Sequence, residues 1–111
     1  MEKILDKFLR YVSFDTMSDE NSESQPSSAR QLVLLGQLRD ELQAMGIEAE
    51  LDKNGYVMAS IPSNVDYEVP AIGFIAHVDT SPDAPGDNIH PQIIENYDGG
   101  DVALNPQMTL K

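Results

Sequence analysis

The stretch Ala71–Asp83, AIGFIAHVDTSPD, limits the folds open to this chain more than any other. It begins with an apolar run, Ala71 to Ala76, that is short enough for a strand and too short for a typical core helix. Pro70 precedes the run and a polar, proline-containing stretch follows it, so both ends are punctuated. Apolar residues at consecutive positions put apolar side chains on both faces. That pattern predicts a strand buried on both sides, in the middle of a sheet covered by helices. His77 and Asp79 stand at its carboxyl end, where open α/β sheets bind their ligands.

The His-x-Asp spacing carries a physical reading of its own. On an extended backbone, positions i and i+2 point to the same side, so the imidazole of His77 and the carboxylate of Asp79 can meet. A metal-ligating histidine commonly donates its other ring N–H to a carboxylate, which sets the tautomer and strengthens the ligating nitrogen. The same spacing also suits a histidine simply hydrogen-bonded at a strand end. Spacing alone leaves both readings open.

The rest of the chain surrounds this stretch with a small α/β pattern. Ile4, Leu5, Phe8, Leu9 and Val12 form one apolar stripe, which predicts a helix over 2–12 docked on a core. Residues 13–28 bring Asp15, Asp19, Glu20 and Glu23, many serines and Pro26, and read as a solvated surface loop with no metal-binding framework. Ser28, with Gln31 three residues on, has capping-box spacing for a second helix. Leu34, Leu35, Leu38, Leu42 and Met45 are its expected buried stripe, and Gly46 its C-terminal cap.

The period then changes to two over Ile47, Ala49 and Leu51. Asn54-Gly55 signals a hairpin turn, and 56–61 the returning strand. Beyond Asp79, residues 80–92 form a proline-rich loop in which His90 reads as structural or solvent-exposed. Ile93 to Glu95 suggests a brief strand, Gly99-Gly100 a turn, and Asp101 to Leu104 a further extended segment.

Composition excludes several classes of function. A net charge of −12 and a pI near 4.2 disfavour phosphate backbones and anionic lipid, so neither nucleic acid nor membrane is an expected partner. The absence of cysteine excludes disulfides and thiolate chemistry. No phosphate-binding glycine motif, nucleophile elbow or internal repeat occurs. The opening MEKILDKFLRYV mixes charges into its apolar residues and does not read as a signal peptide, which makes the cytoplasm the expected compartment.

The run AIGFIAHVDTSPDAPGDNIHPQIIENYDGGDVAL resembles the two-zinc exopeptidases, a family that includes glutamate carboxypeptidase-like enzymes and acylamino-acid deacylases. HVDTSPD and HPQIIENYDGGD are most similar to the family's tripeptide-cleaving aminopeptidases, and EKILDKFLRYVSFDTMSDE and NGYVMASIP extend the likeness over nearly all of the chain. The resemblance implies an α/β zinc-exopeptidase catalytic domain, of which residues 1–111 are the N-terminal part, with an incomplete sheet and no inserted lid or dimerisation domain. It implies two zinc ions per complete site, about 3.5–4 Å apart, polarising the scissile carbonyl and sharing a water. His77 matches a zinc ligand and Asp79 the catalytic carboxylate that orients it.

The general base and the other zinc ligands lie later in the family's chains. This chain alone is therefore expected to be inactive, with a short peptide and the remainder of the same enzyme as its partners. Unpaired strand edges predict self-association of the piece made alone. Two other readings stay open: a non-catalytic domain that binds peptide or protein through the loop after Asp79, and an assembly completed by a second polypeptide.

Overall fold

A computed structural model describes residues 2–111. In chain order it contains α1 (Ile4–Tyr11), α2 (Gln31–Ala44), β1 (Ala49–Leu51), β2 (Val57–Ala59), β3 (Val102–Asn105) and β4 (Met108–Leu110). The chain is thus a small α/β structure with two helices and two antiparallel hairpins among the described residues. No helix among those residues is long and apolar enough to cross a membrane.

The packed part is α2 on the first hairpin. Leu34 and Leu35 are buried beneath α2, and Ala49 is buried on the facing strand. Leu38 and Leu42 continue the stripe half-buried. Burying each leucine contributes about 1.5–3 kcal/mol, so this small cluster is the main apolar anchor of the chain.

The helix is stopped at Gly46 by paired back-bonds. The Ile47 N–H donates to Leu42 O at 3.1 Å and the Gly46 N–H to Gln43 O at 2.9 Å, which satisfies carbonyls the helix leaves free. Gln43 Nε2 then donates to Ala49 O at 2.9 Å, tying the helix end to β1. β1 and β2 pair Ala49 with Ala59 and Leu51 with Val57.

The turn between these strands shows why its residues are Asp, Asn and Gly. The Asp52 carboxylate accepts from the Asn54 and Tyr56 N–H groups at 2.9 and 2.8 Å, closing the loop from inside. Gly55 has φ of 86°, a left-handed conformation that costs glycine little. A Cβ at Gly55 would also meet the Pro26 ring at 3.3 Å, so the turn is pressed against the preceding loop.

Several expectations need correction. The α1 stripe is not core: Ile4, Leu5 and Phe8 are exposed, and no α1 residue is buried. A polar cluster holds this helix instead. Glu41 on α2 accepts from Arg10 Nη1 and Tyr11 Oη, both at 2.5 Å, and pairs with Lys7 Nζ at 3.1 Å. Ser28 does not cap α2, which begins at Gln31 with Arg30 before it; the Ser28 hydroxyl bonds the turn ahead of the helix, and Gln31 turns its side chain elsewhere. Met45 is exposed at the helix end, where the backbone has already left the packed face.

The largest difference lies at 71–76. The segment forms no strand, and Phe74 and Ile75 are 95% and 101% exposed. A strand of this type needs a neighbouring ladder and a cover on each face, and the described residues offer neither to 71–76. Residues 93–95 likewise form no strand. The expected extension near Asp101 is present as β3, and it is answered by β4, with Val102 opposite Leu110 and Ala103 opposite Thr109. With most of 60–111 exposed, the radius of gyration is 17.8 Å, against about 13 Å for a compact domain of about 100 residues.

The Glu41 cluster sets an acid limit on the docking of α1. Hydrogen bonding to Arg10, joined by Tyr11 and Lys7 and opposed by burial, lowers the Glu41 carboxyl from 4.5 to about 2. Its contribution is therefore fully present above pH 4.5 and is lost as pH falls toward 2. Unscreened, such a shift would amount to about 3 kcal/mol, and solvent at the cluster reduces this to about 1–2 kcal/mol. Glu41→Gln is expected to remove that stability near neutral pH and to flatten the acid dependence between pH 4.5 and 2. Amide exchange in α1 across that range checks both effects.

Candidate functional site

The site is built outward from the start of α2. Gln31 is buried there, and its Nε2 donates to Thr16 O at 3.2 Å. The Arg30 guanidinium pairs with the Asp15 carboxylate, whose Oδ1 also accepts from the Met17 N–H at 3.1 Å. Residues 15–17 are thereby held against the helix rather than left as a free acidic loop. Asp19 is likewise used locally, accepting from the Asn21 N–H at 3.0 Å.

The fixed segment then captures the residues after the apolar run. The Thr80 N–H donates to Thr16 O at 3.2 Å, and the Ser18 N–H donates to Thr80 O at 3.0 Å. Together they make an isolated parallel bridge between Met17 and Thr80. Thr16 O accepts twice, from Gln31 and from Thr80, which uses both of its lone pairs. Thr16 itself is buried. On the far side, Gly86 sits so close that a Cβ there would lie 2.7 Å from Asp15 Oδ1 and 2.9 Å from Met17 Cβ.

His77 and Asp79 come together as their spacing suggested. His77 Nδ1 lies 3.0 Å from Asp79 Oδ1. The hydrogen bond from His77, opposed by burial and aided by Ser18, holds the Asp79 carboxyl below the usual carboxylate range. An ionised Asp79 can only accept, so the neutral imidazole carries its proton on Nδ1. Nε2 is then the nitrogen left for an ion or a proton. Both side chains are open to solvent, His77 at 84% and Asp79 at 52%.

The donor set matches part of a zinc site. An imidazole nitrogen backed by a carboxylate suits the ion. A catalytic zinc site takes three protein ligands, and among the described residues no three His, Cys, Asp or Glu side chains converge to hold one. The residues present fit one ligand and its orienting partner. His90 is exposed in its loop.

Sequence reasoning missed Ser18. Its hydroxyl donates toward Asp79 Oδ2 at 3.2 Å and Thr80 O at 3.0 Å, although its segment reads as surface loop. A bridge between two single residues 63 positions apart (Met17 and Thr80) has no periodicity to announce it.

The close approach of Gly86 gives a direct check on this frame. Gly86→Ala is expected to push residues 15–17 off α2 and open the Thr80–Thr16 bond. Faster amide exchange at Thr80 and Ser18, with the α2 amides unchanged, is the expected result.

No family model matches the chain. Curated relatives do. Peptidase T of Clostridium acetobutylicum is 52% identical over 99% of this chain. Peptidase T of Photobacterium profundum is 54% identical over 94% of it, and Peptidase T of Bacillus subtilis 52% identical over 98%. The matches take in 27%, 26% and 27% of those proteins respectively. Over nearly its whole length, then, the chain is similar to Peptidase T, and it spans about a quarter of the length of these relatives.

Proposed function

We propose that this chain is part of a zinc-dependent metallo-aminopeptidase that releases the N-terminal residue of short peptides, tripeptides in particular. The observation that carries the reading is the His77–Asp79 pair, 3.0 Å apart, in a chain about half identical to Peptidase T along its length. His77 holds one metal through Nε2. Asp79 keeps the proton on Nδ1, fixes the ring and raises the basicity of the ligating nitrogen. Neither residue transfers the catalytic proton.

Zinc, when bound, supplies Lewis-acid polarisation of the scissile carbonyl and a water acidic enough to attack near neutral pH. The other ligands and the general base come from the remainder of the enzyme, so the 111 residues alone are inactive. A cytoplasmic setting goes with this reading.

The decisive material is the natural gene product. Its mass is expected several-fold above 12.2 kDa, with tripeptide cleavage that a chelator abolishes and zinc restores. Asp79→Asn is expected to weaken zinc binding about 10–100-fold, and His77→Ala to weaken it further. Undiminished cleavage after complete chelation, or in His77→Ala, would overturn the reading.

The 111-residue chain made alone is expected to self-associate. Ile72, Phe74 and Ile75 are 81%, 95% and 101% exposed on a backbone that the described residues leave without a ladder. Size-exclusion chromatography should show a concentration-dependent shift to larger species. A compact monomer at high concentration is the contrary result.

A further inference from the structure

We propose that Ser18 is a positioning residue for the metal ligand: its hydroxyl holds the Asp79 carboxylate and, through it, His77 in the orientation that presents Nε2 to a divalent cation. This rests on the metallopeptidase reading above. The two oxygens of Asp79 are engaged from different sides, Oδ1 with His77 Nδ1 at 3.0 Å and Oδ2 with Ser18 Oγ at 3.2 Å. A carboxylate held at one oxygen can still rotate about its own axis, whereas one held at both cannot. The Ser18 hydroxyl has a single proton, shared between Asp79 Oδ2 and Thr80 O at 3.0 Å, and both acceptors belong to the His77 segment.

What places Ser18 is independent of what it does. Its position comes from main-chain bonds, Ser18 N–H to Thr80 O and Thr80 N–H to Thr16 O. Those bonds trace back through Gln31 Nε2 to the buried start of α2. Removing the hydroxyl therefore leaves both main-chain bonds of the bridge in place, frees the carboxylate and gives up only the additional side-chain bond to Thr80 O. The imidazole, 84% exposed and without packing of its own, depends on that carboxylate for its direction.

The test uses the full-length natural protein with Ser18→Ala, Ser18→Thr and Ser18→Cys. Crystal structures of the metal-free forms show whether Asp79 and His77 keep their orientation. Competition with a chelator gives the zinc dissociation constant. Ser18→Ala is expected to release the Asp79 and His77 side chains and to weaken zinc binding about tenfold, at the low end of effects seen for partners behind a metal ligand. Thermal stability should be nearly unchanged, and Ser18→Thr, which keeps a hydroxyl, should restore both orientation and affinity.

If Ser18→Ala does not fold, Ser18→Cys decides, because a thiol is a weak donor of similar size. An intermediate zinc affinity then supports the role and a wild-type affinity overturns it. Unaltered Asp79 and His77 orientation in Ser18→Ala also overturns it, whatever zinc does. If the wild-type protein binds no zinc but Ser18→Ala still frees the pair, the metallopeptidase reading fails while the positioning role of Ser18 stands.

Discussion

Two main-chain hydrogen bonds to Thr80, one from each side, determine where the chemistry of this chain sits. Thr16 O and the Ser18 N–H receive Thr80 into a parallel bridge, and His77 and Asp79 are carried with it. The bridge links the packed amino-terminal part, where α2 covers β1 and β2, to a region most of whose residues are exposed. Its strength is borrowed. Thr16 is buried, Gln31 is buried, and both stand at the start of the helix that carries Leu34 and Leu35. A surface bond between loops would be worth little against the entropy of ordering them. One anchored to a buried helix end orders the second loop alone.

Two kinds of interaction divide the remaining work. The apolar cluster of Leu34, Leu35 and Ala49 contributes several kcal/mol in total and fixes α2 on its hairpin. The polar cluster at Glu41 contributes less and fixes α1, whose Ile4, Leu5 and Phe8 are exposed. Long side chains from Lys7, Arg10 and Tyr11 reach across to one carboxylate, so α1 is tethered rather than packed. Burial sets the frame, and charge attaches the first helix to it.

The sequence was legible where the signal is local. Helical spacing found both helices, and the change of period with Asn54-Gly55 found the first hairpin. The His-x-Asp spacing found a pair that meets at 3.0 Å. Strand formation at 71–76 was not determined by its own residues. Alternation and burial are properties of a strand with neighbours, and Ala71 to Ala76 has none among the described residues. The same limit hid Ser18: its role depends on Thr80 and Asp79, more than sixty residues on, and nothing in SDENSES signals that contact. Met45 and the α1 stripe failed differently, since amphipathic spacing says which residues share a face but not what covers it.

The exposure of the pair and that of the apolar run are physically connected. Two unit charges 4 Å apart interact by about 1 kcal/mol in water and about 4 kcal/mol at an effective dielectric of 20. A hydrogen bond to a carboxylate strengthens in the same way as water is withdrawn, and His77, 84% exposed, and Asp79, 52% exposed, make theirs at the water-rich end. Phe74 and Ile75, three and two residues before His77, are nearly fully exposed. Any cover that takes those side chains out of water also lowers the dielectric around the imidazole and its carboxylate. Hydrophobic burial of the run and electrostatic strengthening of the pair are therefore one event. The run does not need to touch the imidazole to matter to it: its burial strengthens the hydrogen bond that joins His77 to Asp79.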